Sequence, residues 1–238
     1  MEPLRLICMD ADAMPLFGPM RGGARPGYEP EVAELLAAVL GRPLVWVLSP
    51  WAGFADALDA GAGDAVLCGQ GITDARRERV DFTRPYAVFD ESVIVRAGSG
   101  IASAADLAGR RVGAIAGSTN MALAETFAGA ERVPFGGATD DVFGEMLDAL
   151  RDGGVDAVVD DDVALLPLAG DPAFDIAFTV ATRNEWGLAV AKARPAWRDE
   201  LDGALSTLVA DGRLETAWTR WMPELAFPFG DDRRDAAT

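Results

Sequence analysis

The sequence predicts an α/β protein made of two units, each a largely parallel sheet with helices on its faces. Short apolar segments of strand length alternate with longer segments whose apolar residues recur at helical spacing. Glycine-rich turns connect several of these strands to the helices that follow them. With 238 residues, 50% of them hydrophobic, the chain can bury one large core or two small ones.

The first unit is predicted as an alternating series of three strands and two helices. Leu4–Met9 is an apolar strand, and a loop rich in glycine and proline follows it. Pro30–Leu40 carries an apolar stripe at helical spacing, and Gly41 is placed to end that helix. The remaining elements are a strand, a helix and a strand: Leu44–Leu48, Trp51–Ala60 and Ala65–Cys68. This alternation predicts a parallel sheet.

The second unit lies between two extended strands, Ser92–Arg96 and Gly187–Ala191. Within it we predict helices at 104–109, from Gly117, at Phe143–Leu150 and from Asp162, with strands at Arg111–Ile115 and Ala157–Val159. Two further helices, Trp197–Asp211 and Leu214–Trp221, follow the second unit. The tail from about Gly230 is charged and has small side chains, so we expect it to be disordered.

Composition excludes several classes of function. The formal net charge of −17 argues against nucleic-acid binding and against docking on anionic membranes. The chain has no histidine, which excludes Ser-His-Asp catalysis and His-ligated zinc. Cys8 and Cys68 fall in apolar strands and are expected to be small buried side chains, although a disulfide between neighbouring strands stays open.

Neither a membrane-spanning segment nor a signal peptide is visible. Either a leader was removed, or the protein is made and kept in the cytoplasm.

The segment from Trp51 to Phe82 is the most informative about function. A buried strand leads into the glycine-rich turn 69–73, and a helix with Arg76 in its first turn follows. Backbone amides at such a turn attract anions, and a guanidinium pairs with a carboxylate through two parallel hydrogen bonds. This segment therefore predicts a site for a small carboxylate. Gly117 and Ser118 open a helix in the same way and form a second possible anion site.

The order of motifs resembles the type II periplasmic solute-binding proteins, in the subfamily that binds amino acids and related polar solutes. The matching segments, up to about Phe229, are LRLICMDADAMPLFG (4–18), GYEPEVAELLAAVLG (27–41), PWAGFADALDAGAGDAV (50–66), GITDARRERVDFTRPY (71–86), ADLAGRRVGAIAGSTN (105–120), GGVDAVVDDD (153–162), NEWGLAV (184–190) and ADGRLETAWTRWMPE (210–224).

The resemblance implies two Rossmann-like lobes joined by a two-strand hinge, the periplasmic binding protein-like II fold. Lobe 1 would be residues 1–93 and 187–238, and lobe 2 residues 94–186. A solute would be captured in the cleft between them and enclosed by hinge closure.

The resemblance further implies a non-enzymatic monomer that needs no cofactor or metal and binds no nucleic acid. It would serve an ABC transporter permease outside the cytoplasm, in the periplasm or on a lipid anchor. Because no signal peptide is visible, a cytoplasmic location is the alternative.

The resemblance also assigns roles to individual residues. Arg76 would clamp the ligand carboxylate, with Ser118 and Thr119 donating to the same group. Asp161 and the carbonyl of Gly69 would hold the ammonium. The motifs imply further ligand-binding residues. They are Trp51 as an aromatic platform, Asp10 and Phe17 in the first loop, Gln70 and Gly71 in the Gly-rich turn, and Asn120 in the second turn.

Four positions depart from the family pattern. Gly71 stands where Thr or Ser is usual, so one hydroxyl for the carboxylate is missing. Ala13 replaces an aromatic lid, Gln70 replaces an apolar residue, and Asp12 adds a carboxylate near the pocket mouth. These changes favour a bulkier or differently shaped solute over a standard α-amino acid.

Several of these residues also have a purely structural interpretation. Arg76 could be a surface residue of its helix, and Trp51 a core residue. The run Asp160–Asp162 and the segment Ser118–Asn120 could each be an N-cap only.

Two alternative functions also stay open. An enzyme on this scaffold, a cyclohexadienyl or prephenate dehydratase, would match at Asn120 but meets Ala164 where its acid is expected. A stand-alone cytoplasmic sensor would have the same cleft but other partners.

Overall fold

The computed structural model describes residues 2–136 and 141–230, and it confirms the α/β class. The chain divides into two compact units: unit 1 is residues 1–88 with 185–238, and unit 2 is residues 89–184. The expected disorder of the tail concerns residues that lie almost wholly outside the described ones.

In chain order the strands are β1 (Leu4–Cys8), β2 (Leu44–Leu48), β3 (Ala65–Val66), β4 (Val80–Arg96), β5 (Arg111–Ile115), β6 (Glu131–Phe135), β7 (Ala157–Asp161) and β8 (Phe174–Ala191). The α-helices are α1 (Tyr28–Leu40), α2 (Phe54–Asp59), α3 (Asp74–Arg77), α4 (Thr119–Thr126), α5 (Val142–Arg151), α6 (Asp162–Leu165), α7 (Pro195–Ala210) and α8 (Arg213–Trp221). Short 3₁₀ helices lie at Trp51–Gly53, Ala104–Leu107 and Leu166–Leu168.

In unit 1, β1 is paired in parallel with both β2 and β3, as the alternation of elements predicts. The last part of β8 runs antiparallel to β3, with Val66 opposite Ala189. Helix α1 ends at Gly41, which has the left-handed conformation expected of a C-terminal glycine. Its buried face packs against α7 and α8, and the Tyr28 ring meets Trp218 edge to face.

In unit 2, β5 lies between β6 and β7 and is parallel to both, and β7 is antiparallel to the last part of β4. Successive strand residues point to opposite faces of the sheet. Val93 and Val159 belong to one buried cluster, whereas Ile94 and Val158 belong to another. Both faces of this sheet are therefore covered, as expected for a largely parallel sheet.

Four elements differ from the sequence-based expectation. The strands expected at 92–96 and 187–191 are the ends of much longer strands, β4 and β8. Polar residues interrupt both strands, early in β4 and at Thr182–Glu185 in the middle of β8, so the sequence does not show them as continuous. Strand β6 carries two charges and a proline, and it forms because it pairs with β5. The helix expected from Trp51 begins as one 3₁₀ turn before α2.

Candidate functional site

The glycine-rich turn after β3 is held by backbone hydrogen bonds within unit 1. The Gly71 amide donates to the Gly69 carbonyl over 3.1 Å, and the Gly187 amide donates to the Gln70 carbonyl over 3.2 Å. Gly71 also forms an isolated bridge with Trp186. The turn therefore has a fixed shape, with Gln70 and Gly71 buried.

A buried glutamate that sequence reasoning missed lies beneath this turn. Glu29 is 1% exposed, and its Oε1 accepts hydrogen bonds from the Gly69 amide at 2.7 Å and the Tyr86 hydroxyl at 2.5 Å. Its Oε2 is buried and has no hydrogen-bond partner. Burial raises the pKa of Glu29 to about 7, although both hydrogen bonds favour the carboxylate.

Arg76 is positioned by the turn and by Trp51. Its Nη1 donates to the Gly71 carbonyl over 2.8 Å, and its guanidinium lies 5.4 Å from the centre of the Trp51 ring. By contrast, Arg79 is exposed and pairs with Asp56 and Asp59 on the surface. Arg76 is thus held beside the glycine-rich turn by contacts that an ordinary surface arginine lacks.

Helix α3 contributes less than the sequence suggested. It has four residues, and Thr73 caps it by accepting a hydrogen bond from the Arg76 amide at 3.2 Å. A single turn carries a small dipole, and one of its amides is already occupied. The guanidinium of Arg76 is therefore the main group here that can attract an anion.

Trp51 is half-buried and packs on Phe54, with 5.5 Å between the ring centres. A cavity of about 190 Å³ lies next to this pair in unit 1; its lining includes Phe54, Gln70 and Arg76. Trp51 is therefore a partly accessible aromatic residue beside Arg76 rather than a core residue.

Of the two ligand-binding residues predicted in the first loop, one is exposed and the other is buried. Asp10 is exposed and accepts a hydrogen bond from the Met20 amide. Phe17 is only 5% exposed, because the buried Arg25 guanidinium covers its ring at 4.5 Å. Arg25 also donates to the carbonyls of Met9, Ala11 and Gly18, and so ties the loop together.

In unit 2, the turn before α4 presents Ser118, Thr119 and Asn120. Ser118 is the predicted N-cap: its Oγ accepts from the Met121 amide at 3.1 Å and donates to the Ile115 carbonyl at 2.6 Å. Asn120 is 4% exposed, and its Nδ2 has no hydrogen-bond partner. The capping interpretation is therefore confirmed for Ser118, and the Asn120 side chain lies close to the Asp161 carboxyl group.

Asp161 ends β7 and occupies the N-cap position of α6, yet its side chain makes no capping hydrogen bond. It is 7% exposed, and its Oδ1 has no partner. Burial, together with the charges of Asp160 and Glu91, raises its pKa well above the usual value. Burial likewise raises the pKa of Asp160 to about 7. A capping role does not account for the Asp161 carboxylate.

Glu91 is a second buried acid that sequence reasoning missed. It is 1% exposed and lies opposite Asp161 in the pairing of β4 with β7. Burial raises its pKa, and the neighbouring Thr182, Asn184 and Thr119 side chains counter this in part. The feature of the sequence that could have indicated Glu91 is its position directly before the largely apolar segment Ser92–Val95.

The structure thus brings together two sets of predicted residues, one in each unit. Unit 1 groups Arg76 and Trp51 with the 69–71 turn, and in unit 2 the Asn120 side chain lies close to Asp161. Their contacts with a ligand stay predictions. Cys8 and Cys68 are buried and free. Within residues 2–136 and 141–230, no three His, Cys, Asp or Glu side chains are placed to hold a metal ion, and no helix is long and apolar enough to cross a membrane.

Comparison with known proteins decides the family. The model of the bacterial extracellular solute-binding proteins, family 3, matches residues 6–224. The chain belongs to this family. The resemblance in motif order is therefore confirmed over nearly the whole chain.

Two relatives of this chain are named as solute-binding proteins. The L-cystine-binding protein TcyJ of Escherichia coli is 28% identical over 205 residues, which are 84% of this chain and 75% of that protein. The ABC transporter glutamine-binding protein GlnH of Bacillus subtilis is 28% identical over 170 residues, 70% of this chain and 60% of GlnH. The match therefore spans less than two thirds of GlnH.

A solved structure supports the fold of this family 3 member. An ancestral arginine-binding protein bound to arginine is similar with a TM-score of 0.83 and 27% identity, covering 93% of this chain and 99% of that one. The relatives are named as binding proteins and not as enzymes, in agreement with the non-enzymatic interpretation.

Proposed function

We propose that this protein binds an amino acid or a close analogue and presents it to an ABC-type importer. The observation that carries the proposal is the buried Asp161 carboxylate, whose Oδ1 has no partner. A buried carboxylate without a partner is costly, and an ammonium group is a partner that removes the cost. The names of the relatives, which bind glutamine, cystine and arginine, support an amino acid as the source of that ammonium.

The carboxylate of the ligand is assigned to Arg76. A guanidinium anchored at the Gly71 carbonyl and against Trp51 has lost part of its freedom before the ligand arrives. Less entropy is then lost on binding, and the planar group can meet a carboxylate with two hydrogen bonds. In unit 2 the side chains of Thr119 and Asn120 could add further donors, whereas the Ser118 hydroxyl already donates to the Ile115 carbonyl.

The side chain of the ligand is expected to be larger than that of the simplest amino acids. Gly71 and Ala13 leave space where bulkier residues are usual in this family, and Gln70 adds a polar group to the lining of the 190 Å³ cavity beside Arg76. Trp51 offers an aromatic face to an extended or cationic side chain.

A thermal-shift screen of the twenty standard amino acids and L-cystine tests the function, because a ligand that binds the folded state raises Tm. We expect at least one of them to raise Tm at millimolar concentration. For the best one, Arg76→Ala and Asp161→Asn should each weaken binding by about 30-fold or more, since each leaves a ligand charge without its partner. Arg77→Ala, one residue along the same helix and exposed, is the matched control and should bind normally.

Two results would contradict the assignment. If no amino acid raises Tm, the protein does not bind this class of solute. If Arg76→Ala binds as tightly as the unmodified protein, the carboxylate is held elsewhere.

Membership of the family supports an inference about location and partner. We infer that the protein works outside the cytoplasm, in the periplasm or on a lipid anchor, with a permease as its partner. The upstream sequence of the gene tests this: a secretion signal or a lipid-attachment cysteine is expected. Prephenate should not be turned over, because Ala164 stands where the dehydratases have their acid.

A further inference from the structure

Two buried carboxyl groups face each other in unit 2. Glu91 on β4 and Asp161 on β7 are direct partners in an antiparallel pair of strands. Side chains at such positions point to the same face of the sheet, with Cβ atoms about 5 Å apart. Glu91 is 1% exposed and Asp161 is 7% exposed. The two groups therefore share one desolvated space.

Neither group is fully satisfied within the described part of the chain. Glu91 Oε1 and Asp161 Oδ1 accept no hydrogen bond. None of the ion pairs formed by residues 2–136 and 141–230 includes either residue. Buried acceptors of this kind call for a donor, and for a charged donor most of all.

The surroundings add more negative charge than positive. On β7 and α6 the neighbours are Asp160 and Asp162, and on β4 it is Asp90. Arg183 on β8 acts on Asp162, and its backbone amide donates to Asp90. The remaining groups near the pair, on α4 and β8, are uncharged: Thr119, Asn120, Thr182 and Asn184.

Two carboxylates this close in a desolvated space do not both ionise unless a cation joins them. Burial and the neighbouring acids raise the pKa of both Glu91 and Asp161, which favours a proton on the pair when no ligand is bound. A protonated amine is a chemical substitute for that proton, and its three N–H donors can serve both carboxylates at once.

We propose that Glu91 binds the ammonium group of the ligand together with Asp161, and that this ammonium displaces a proton from the pair. The proposal rests on the proposed function and adds a binding residue to it. The displaced proton passes to solvent, so that charge and protons balance. A ligand of this site must therefore carry a protonated amine, and its affinity must rise with pH over the range in which the pair titrates.

Calorimetry of ligand binding at pH 6.5 counts the protons that the protein releases. The titration is run in phosphate and in imidazole, because the two buffers have different enthalpies of ionisation. The probe is the amino acid that raises Tm most in the screen described above, compared with its des-amino analogue. For the unmodified protein we expect release of about one proton per ligand and at least about tenfold weaker binding of the analogue.

Two variants isolate Glu91. Glu91→Gln should bind about tenfold or more weakly and release clearly fewer protons. Its Tm should be unchanged or higher, because the amide removes a buried charge. Glu91→Asp keeps the carboxyl group and should recover part of the proton release. Glu125→Gln, on an exposed position of α4, is the control and should match the unmodified protein.

The outcomes separate the two proposals. If Asp161→Asn and Arg76→Ala lose binding but Glu91→Gln keeps both affinity and proton release, the function stands and Glu91 has no role in it. Absence of proton release from the unmodified protein also overturns the inference, without reference to any variant. If no amino acid binds at all, both proposals fail.

Discussion

Glu29 Oε1 accepts a hydrogen bond from the Gly69 amide over 2.7 Å, across a contact between the first turn of α1 and the turn that follows β3. The same oxygen accepts from the Tyr86 hydroxyl, and the Tyr28 hydroxyl donates to the Tyr86 carbonyl. This buried network fixes the position of Gly69, whose carbonyl is predicted to contact the ligand ammonium. Glu29 is not proposed to touch the ligand, but it holds the turn of the predicted site.

We expect Glu29→Ala to lower the free energy of unfolding by about 3 kcal/mol, since it leaves two buried donors unsatisfied and opens a cavity. Glu29→Gln keeps one acceptor oxygen and should cost less, about 1 kcal/mol. Urea unfolding measures both. Glu34→Ala, at an exposed position of α1, is the control and should stay within about 0.5 kcal/mol of the unmodified protein. An equal effect of Glu29→Ala and Glu34→Ala would contradict the role of Glu29.

The buried acids make stability depend on pH in a defined direction. Burial raises the pKa of Glu29 and of Asp160 to about 7, and that of Asp162 to about 6. Between pH 4.5 and 7 the folded state therefore binds more protons than the unfolded state, and stability falls as pH rises. Glu29 alone, raised from 4.5 to about 7, accounts for about 3 kcal/mol.

Urea unfolding at intervals between pH 4.5 and 8 checks this. The free energy of unfolding should be highest at the acidic end of this range, near pH 4.5, and Glu29→Gln should flatten part of its decrease. Below about pH 4 the trend reverses, because the pKa values of Asp64 and Asp156 are lowered by hydrogen bonds from arginines. Stability that rises steadily up to pH 7 would be inconsistent with these buried acids.

Among the described residues of unit 1, Asp64 is the most buried acid that forms ion pairs. Its carboxylate is 4% exposed and accepts from Arg5 Nη2 at 2.9 Å and from Arg194 Nη1 at 2.7 Å. Asp64→Asn should lower the free energy of unfolding by about 2 kcal/mol, less than for a fully buried pair because both arginines are partly exposed. Asp59→Asn, which breaks an exposed pair with Arg79, should cost less than about 0.5 kcal/mol. Equal costs in chemical unfolding would refute this ranking.

The elements that the sequence predicted well are those with a local cause. Gly41 ends α1, Ser118 caps α4, and Arg111–Ile115 is a strand with the expected bounds. For Gly41 and Ser118 neighbours in the chain supply the deciding interaction. The strand Arg111–Ile115 pairs with distant strands, but its short apolar pattern marks it in the sequence. Arg76 was predicted because a glycine-rich turn precedes its helix, and the structure adds the Thr73 cap and the contact with Trp51.

Glu91 and Glu29 could not be predicted because their partners are distant in the chain. Glu91 meets Asp161 only when the register of β4 and β7 is known. In the sequence, Glu29 resembles an ordinary acid in the first turn of a helix, where its charge interacts favourably with the helix dipole. Such an acid usually faces water. Its burial depends on the turn at Gly69, which arrives from another strand. Phe17 is similar, since the covering Arg25 becomes apparent only in the folded loop.

Gly27 joins the first loop to α1, and its position leaves no room for a side chain. A Cβ atom there would lie 2.4 Å from the Leu16 carbonyl oxygen and 2.6 Å from Phe17 Cα, both of them backbone atoms. This close approach allows the Glu29 amide to donate to the Leu16 carbonyl, and so it helps to place Glu29. Gly61 also has a positive φ, but nothing lies within 4 Å of a Cβ there.

The two glycines therefore separate backbone strain from steric conflict. Gly61→Ala should cost about 1 kcal/mol, the ordinary penalty for a side chain at positive φ. Gly27→Ala should cost at least about 3 kcal/mol, because the backbone of the loop must move as well. Urea unfolding measures both, and Gly27→Ala should also weaken amino-acid binding by displacing Glu29 from the Gly69 amide. Similar losses of stability for the two variants would show that the loop yields easily and does not fix Glu29.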